Sequence, residues 1–539
     1  MKKTWLIALA ITTTLAVAYL GLRERRQMHA QVLADVAAMQ RLDQDGHSAA
    51  LLATLAADAG SGRIAFLHVG LVDPESGTIL SDQTVVAMDG KIDWVGPSAS
   101  APDLTGALQI DGSGKFLAPG LTDMHVHTEQ VGQHLLRLAA GVTSVRDMDG
   151  FPWLLRTRDA IDAGAMPGAT TYVAGTIIAD QPLDGYAVVV HSPEEARQTV
   201  RDQVACGYSF IKVHNSLAEP LFDVVADEAQ RQKLDLVGHV PHDISLMHAI
   251  QSGHMRTLEH LKGFLYDRNY LPSDEPYAPA LKGAEVWLTP TLYVRISGAY
   301  GNAAQALMAD PRQRFNPRAR REEWQAGVPA PGSDDAKFHD RLVKTQDIVM
   351  ARLLPLHPRW LVGTDAAGYT FNIAGFATLD ELLLLHQAGL SNADIVRAAT
   401  SEPAVAMRRP GEFGRIAVGM RADLVLLAAN PLADVAAYQS NLGVMARGRW
   451  YDRKHLDQAL AGLARIYAEP VAVAIDLAAA GRQVEAVEGW AKRGYVFEDA
   501  ALTAAASALQ RKGAVGLSER LRRLLSAPAS GVCAVETPG

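Results

Sequence analysis

At 539 residues the chain exceeds one ordinary domain and suits a large barrel with accessory parts. Hydrophobic residues at 48% and charged ones at 20% describe a globular chain with ample core, and a formal charge of −8 carries no signature of nucleic-acid binding. Two cysteines, Cys206 and Cys533, exclude a multi-bridge disulfide framework and a cysteine-based zinc cluster, so a metal would need His, Asp, Glu or Lys ligands.

Lys2 and Lys3 precede an apolar run from Trp5 to Leu22, which "RERRQ" follows. A basic start before roughly 18 apolar-leaning residues reads as a signal peptide or short membrane anchor over 1–22. Ala16-Val17-Ala18 offers a small-residue cleavage site, whereas Arg23, Arg25 and Arg26 look like an anchor's flank. The plain alternative is a buried helix. Export is the expectation, to a periplasmic or extracellular location or one anchored to a membrane. An Ala- and Leu-rich stretch then predicts a helical linker over 23–62.

Over 63–117 the runs "IAFLHVGLVDPESGTIL", "QTVVAMDGKIDWVG" and "LQIDGSGKFLAPG" are short strands broken by Asp-Pro, Asp-Gly and Ser-Gly turns. Over 118–407 the pattern becomes strands alternating with helices. "GLTDMHVH", "GVTSVRDM", "TTYVAGTI", "SFIKVHN", "DLVGHVP", "RTLEHLK", "EVWLTPTLYV" and "WLVGTDAAG" make eight such strands. That rhythm predicts an α/β fold, a (β/α)8 TIM barrel. Over 408–453 "FGRIAVGMRADLVLLAANPL" and "VMARGRWYD" return to short strands. One small β-sandwich built from segments before and after the barrel is the economical arrangement. Residues 454–539 read as a helical C-terminal extension with no assigned chemistry.

In such a barrel the functional side chains sit at the C-terminal strand ends. His125 and His127 alternate, so a strand aims both imidazoles to one face. The other strand ends carry Lys212, His239, His260 and Asp365. Each has an ordinary reading when taken singly. Lys212 can snorkel, His239 and His260 can be backbone-bonded core histidines, and Asp365 can cap a helix. Together they suit a zinc-like divalent ion with an open position, which brings the pKa of a bound water from about 15.7 to near 7. Asp365 is then placed to take the proton of that water and return it to a leaving nitrogen. His134, His248 and His386 in helical stretches, and His29 and His47 before the sandwich, read as solvated or core residues.

The motifs "APGLTDMHVH", "GVTSVRDM", "FIKVH", "DLVGHVP", "TLEHL", "VGTDA", "LSNADIVRAATSEPAVAM" and "GRIAVGMRADLVLLAANPL" resemble the amidohydrolase superfamily. Within it they are similar to the group related to imidazolonepropionases and Xaa-Pro dipeptidases, over about residues 63 to 452. The resemblance implies a metal site of one or two ions, zinc by preference. His125, His127 and Asp365 would hold the more buried ion, and His239 and His260 the more exposed one. Lys212 matches a lysine that many members carry as a CO2-derived carbamate bridging two metals.

The implied reaction is hydrolysis of an amide-type C–N bond in a dipeptide, N-acyl amino acid or related amide. A mononuclear cyclic-amide hydrolase or deaminase is the alternative, and a non-catalytic scaffold on the same fold is the rival of another class. Pro241 departs from the strand-5 pattern and leaves His242 as a substrate contact, with Tyr293 and Arg295 placed for the pocket by position alone. Residues 297–344, with Arg312, Arg314, Arg318, Arg320 and Arg321, are either an anion-reading lid or a solvated insertion. The expected partner is a small or peptide-like substrate, with no nucleic acid, a membrane contact only through the N-terminal segment, and a homo-oligomer left open.

Overall fold

The computed structural model describes residues 2–183, 187–266, 271–272, 277–297, 302–366, 371–470, 472 and 474–525. Eight strands alternate with helices and define the central unit: β1 (Leu121–Val126), β2 (Val142–Asp147), β3 (Thr170–Val173), β4 (Phe210–Val213), β5 (Asp235–Gly238), β6 (Met255–Glu259), β7 (Trp287–Thr289) and β8 (Arg359–Trp360). Neighbours pair in parallel from β1 to β3 and from β4 to β8. A parallel bridge from Ala174 to Phe210 joins β3 to β4. On the other side the Met124 N–H donates to Val362 O at 2.8 Å, and Val126 bridges Ala366, which brings the chain after β8 back to β1. This cycle of parallel strands fits a (β/α)8 barrel. Between strands and helices lies an apolar core that includes Val126, Ile211, Val213, Leu258, Leu288 and Val362.

The segments flanking the barrel unite in one eight-stranded sheet, running 449–452, 441–446, 424–427, 116–119, 64–73, 78–88 and 91–97, with 108–111 paired to 64–67. Strands before and after the barrel therefore share a sheet, as the alternating runs suggest. Their hydrogen bonds follow one continuous sheet rather than the two of the expected sandwich. Phe66, Val85, Leu117, Leu424, Met445 and Trp450 pack as its own core. Asp89 and Gly90 turn the hairpin between 78–88 and 91–97 with φ of 50° and 80°, the left-handed pair that a two-residue turn requires.

The N-terminal helix (Lys2–Asp58) is continuous. The stretch expected to be a linker is instead structural. Met39, Leu42, Ala49, Leu52 and Leu55 are buried with Leu456, Leu463, Tyr467, Val484, Leu502 and Leu509 of the C-terminal helices (Arg453–Tyr467, Leu477–Lys492 and Asp499–Arg511). Among the described residues no helix is long and apolar enough to cross a membrane, so the anchor reading gains no support. Leu52 has no exposed surface. Leu52→Ala is expected to lower unfolding stability by about 2–5 kcal/mol in urea titration. A loss under about 0.5 kcal/mol would show that this helix adds no packed core.

Candidate active site

All six expected residues lie at the C-terminal ends of barrel strands, and all are buried. His125 is in β1 and His127 just beyond it; Lys212 is in β4; His239 and His260 follow β5 and β6 directly; Asp365 lies on the segment after β8. His260 and Asp365 both sit at φ 59°, a left-handed conformation that branched and bulky residues rarely adopt. Gly238 precedes His239 at φ 120°, and a Cβ there would stand 2.2 Å from Val213 O, so β5 lies too close to β4 for a side chain.

Every imidazole in the cluster is held by its Nδ1. His125 Nδ1 meets Glu259 at 2.9 Å, His239 Nδ1 meets Asn215 Oδ1 at 2.8 Å, and His260 Nδ1 meets Thr291 Oγ1 at 2.7 Å. His127 Nδ1 pairs with Asp149. With Nδ1 engaged, Nε2 is the atom presented to the pocket. From Asp365 it is 2.7 Å to His127 Nε2, 3.3 Å to His125 Nε2 and 3.8 Å to His260 Nε2. Rings of His125 and His260 lie 4.5 Å apart, and those of His239 and His260 4.8 Å. Glu259 is itself anchored by the fully buried Arg146, whose Nη2 donates to it at 2.6 Å while its Nε donates to Met124 O at 2.7 Å.

Burial pushes the Asp365 carboxyl up, but the imidazoles of His260, His125 and His127 outweigh it and hold the group well below the usual carboxylate range. Burial pushes His127 down, and Asp149 with Asp365 pulls it up to about 10. For His125 and His239 burial prevails and lowers the ring. The Lys212 ammonium is lowered by burial, against the pull of Asp149, Asp365 and Glu259, and its Nζ donates to Met148 O at 2.7 Å.

These donors fit a divalent cation. His125, His260 and Asp365 each bring a ligand atom within 4.8 Å of the others. His125 Nε2 is buried without a hydrogen-bond partner while facing Asp365, which is the state of an atom shaped for a metal rather than for a protein donor.

Other expected contacts divide. Tyr293 is buried beside Ala366, next to Asp365, and its hydroxyl is without a partner among the described residues. His242 is exposed on the loop after β5. Arg295 lies on a described helix, but its side chain is outside the described residues. In the insertion, Arg312 is taken by Asp310 and Asp380, Arg318 by Glu322, and Arg320 by Glu323 and Glu129. These carboxylates occupy Arg312, Arg318 and Arg320, while Arg314 lies over the Phe315 ring. His248 pairs with Asp223 on helices away from the cluster.

Sequence reasoning missed the groups that hold Nδ1, namely Glu259, Asp149, Asn215 and Thr291. It also missed His214, whose ring lies 3.9 Å from that of His239. The only available signal was their position at the same strand ends.

The amidohydrolase family model matches residues 116–451. An ochratoxinase from Aspergillus niger is 23% identical over 449 residues, which cover 71% of this chain and 85% of that protein. An imidazolonepropionase from Micrococcus luteus is 32% identical over 142 residues, 23% of this chain and 32% of that protein. Among solved structures, bottromycin amidohydrolase has a TM-score of 0.65 at 24% identity, covering 78% of this chain and 94% of its own. A Xaa-Pro dipeptidase has a TM-score of 0.57 at 19% identity, covering 72% and 100%. With its barrel strands and its histidine-carboxylate cluster inside the matched residues, the chain belongs to the amidohydrolase family, hydrolases of carbon–nitrogen bonds.

Proposed function

We propose that this chain is a metal-dependent hydrolase of an amide bond in a dipeptide, an N-acyl amino acid or a related amide. One observation carries the reading: three imidazoles, each fixed through Nδ1, present Nε2 around Asp365, with the similarly held His239 beside His260 and a buried lysine alongside. His125, His127 and Asp365 would hold one ion, His239 and His260 a second, and Lys212 would bridge them. When bound, zinc supplies hydroxide at neutral pH and polarises the amide carbonyl.

The chain's own residues do the rest. Burial lowers the Lys212 ammonium and so favours the neutral amine, the form that bonds to CO2; nitrogen–carbon bond formation releases one amine proton and leaves an anionic carbamate. Asp365 lies 2.7 Å from His127 Nε2 and is ionised, so it can accept a proton and pass it to the departing nitrogen, which leaves poorly without one. Tyr293, buried beside Ala366, lines the same end of the barrel as a substrate contact. The names ochratoxinase, Xaa-Pro dipeptidase and bottromycin amidohydrolase among the related proteins support a peptide-like amide. An exported enzyme would meet such amides, and the basic, apolar start of the chain supports that location; cell fractionation tests it.

The tight trio of His125, His260 and Asp365 favours a second reading, a single-ion cyclic-amide hydrolase or deaminase. Metal content separates the two. Protein produced with zinc and bicarbonate is expected to carry about two ions per chain, and Lys212→Ala one or fewer. One ion in both would select the single-ion reading, and none in either would sink the metal site. On a panel of dipeptides and N-acetyl amino acids, Asp365→Asn is expected to lower kcat by about 10²–10⁴-fold with unchanged circular dichroism. An unchanged kcat would remove Asp365 from the proton transfer. Asn215→Ala frees the ring of His239 and is expected to weaken zinc retention against a chelator by about 10–100-fold. Retention equal to wild type would mean that His239 binds no metal.

A further inference from the structure

The loop 128–131 leaves the barrel directly after His127. Part of it is tied down by the barrel itself: the Thr128 N–H donates to Asp147 at 3.0 Å, and Arg137 Nη1 donates to Thr128 Oγ1 at 2.7 Å. Gln133 of the following helix also accepts from the Glu129 and Gln130 N–H groups, at 2.9 Å and 3.4 Å. Further ties come from outside the barrel. Arg41 Nη2 donates to Glu129 O at 2.6 Å, the Val131 N–H donates to Asp45 Oδ1 at 3.1 Å, and the Tyr467 hydroxyl donates to Gln130 Oε1 at 3.2 Å. Arg41 and Asp45 are one turn apart on the N-terminal helix and reach the loop together. Arg41 also pairs with Glu498, immediately before the helix Asp499–Arg511.

The approach is close. A Cβ on Gly132 would lie 2.3 Å from the Tyr467 hydroxyl and 2.9 Å from Leu463 Cδ1. On the pocket side, the Glu129 carboxylate lies 3.6 Å from Arg320 of the insertion. Burial pushes Glu498 up to about 7 and Asp45 up to about 6, each against Arg41, so one guanidinium is the counter-charge of both. Residues 41, 45, 467 and 498 all lie outside the segment that matches the family, 116–451.

We infer that Arg41 is a positioning residue for the active site: it fixes loop 128–131 beside His127, so that the terminal helices complete a pocket wall that the family core holds only in part. A guanidinium suits the task because its planar fork meets a backbone carbonyl and a carboxylate at once. Preorganising a wall acts on substrate binding rather than on the reacting bond. The inference rests on the amide-hydrolase reading only through its kinetic readout.

The test compares full-length, zinc-loaded wild type with Arg41→Ala, Arg41→Lys and Arg511→Ala. Arg511 forks onto Asp35 at 2.6 Å and 3.0 Å in the same bundle, away from the loop, so its loss reports bundle stability alone. Hydrogen exchange of the peptide spanning 128–133 is expected to quicken at least tenfold in Arg41→Ala and under twofold in Arg511→Ala. Arg41→Lys, which keeps one donor, should restore at least half of the protection on a logarithmic scale. On the fastest substrate of the panel, Arg41→Ala should raise KM about tenfold with kcat within threefold, and Arg511→Ala should change neither.

Equal exchange in Arg41→Ala and Arg511→Ala would overturn the inference, as would faster exchange with unchanged KM. If Arg41→Ala fails to fold, Tyr467→Phe removes the bond to Gln130 and keeps the ring. It must then quicken exchange in the same peptide by at least threefold, or the inference fails. If wild type hydrolyses nothing on the panel, the amide reading falls, and exchange alone decides the positioning role.

Discussion

The histidine–carboxylate cluster depends on an ion pair with no access to water. Arg146 and Glu259 meet at 2.6 Å with both side chains fully buried, and Glu259 then fixes His125 through Nδ1. Burying two charges costs several kcal/mol per ion before their attraction is counted, and losing one partner of such a pair costs about 3–5 kcal/mol. The pair survives because its hydrogen bonds are filled: Arg146 also donates to Met124 O and to Thr257 Oγ1, and the Thr257 hydroxyl donates to Glu259. Burial pushes the Glu259 carboxyl up, yet Arg146 and His125 hold it below its ordinary value, so it remains an anion in the barrel interior. A carboxylate that cannot take up a proton is a fixed acceptor. It sets the tautomer of His125, and through it the direction of Nε2.

The same logic runs round the rim. Each ring is oriented by a group on a different strand end, so β6 and the segments after β2, β4 and β7 all take part in aiming four nitrogens. The left-handed backbone at His260 and Asp365 belongs to this design, because such conformations persist only where surroundings over-determine them. Convergence of donors is therefore a property of the parallel strands taken together and not of any one motif.

That explains what could be read in the chain. The alternation of His125 and His127 is a backbone property, visible in three letters. Lys212, His239, His260 and Asp365 are legible because a barrel strand offers only one end to its pocket. Glu259, Asp149 and Asn215 are not, because each holds a ring on another strand; Glu259 and His125 are 134 positions apart and meet only when the strands close. The flanking sheet is half legible: alternation shows which segments are strands, while the pairing of 424–427 with 116–119 depends on the fold. The N-terminal helix reads as a linker because an Ala- and Leu-rich stripe shows that something covers it, without showing what.

What covers it is the end of the chain. Arg41 and Glu498 are separated by 457 positions, and Asp35 and Arg511 by 476. At about 5–20 residues per second, a ribosome needs roughly 20–90 s to span that interval. Throughout it the apolar stripe of Leu42, Leu52 and Leu55 lacks its C-terminal partners, and only barrel residues such as Val131, Leu135 and Leu138 can cover part of it. A helix made before the barrel is thus fully buried only after it. Its protection from aggregation in that interval falls to whatever holds nascent chains, and a chain stalled before the helices Arg453–Tyr467 and Asp499–Arg511 would leave the ribosome with much of that stripe uncovered.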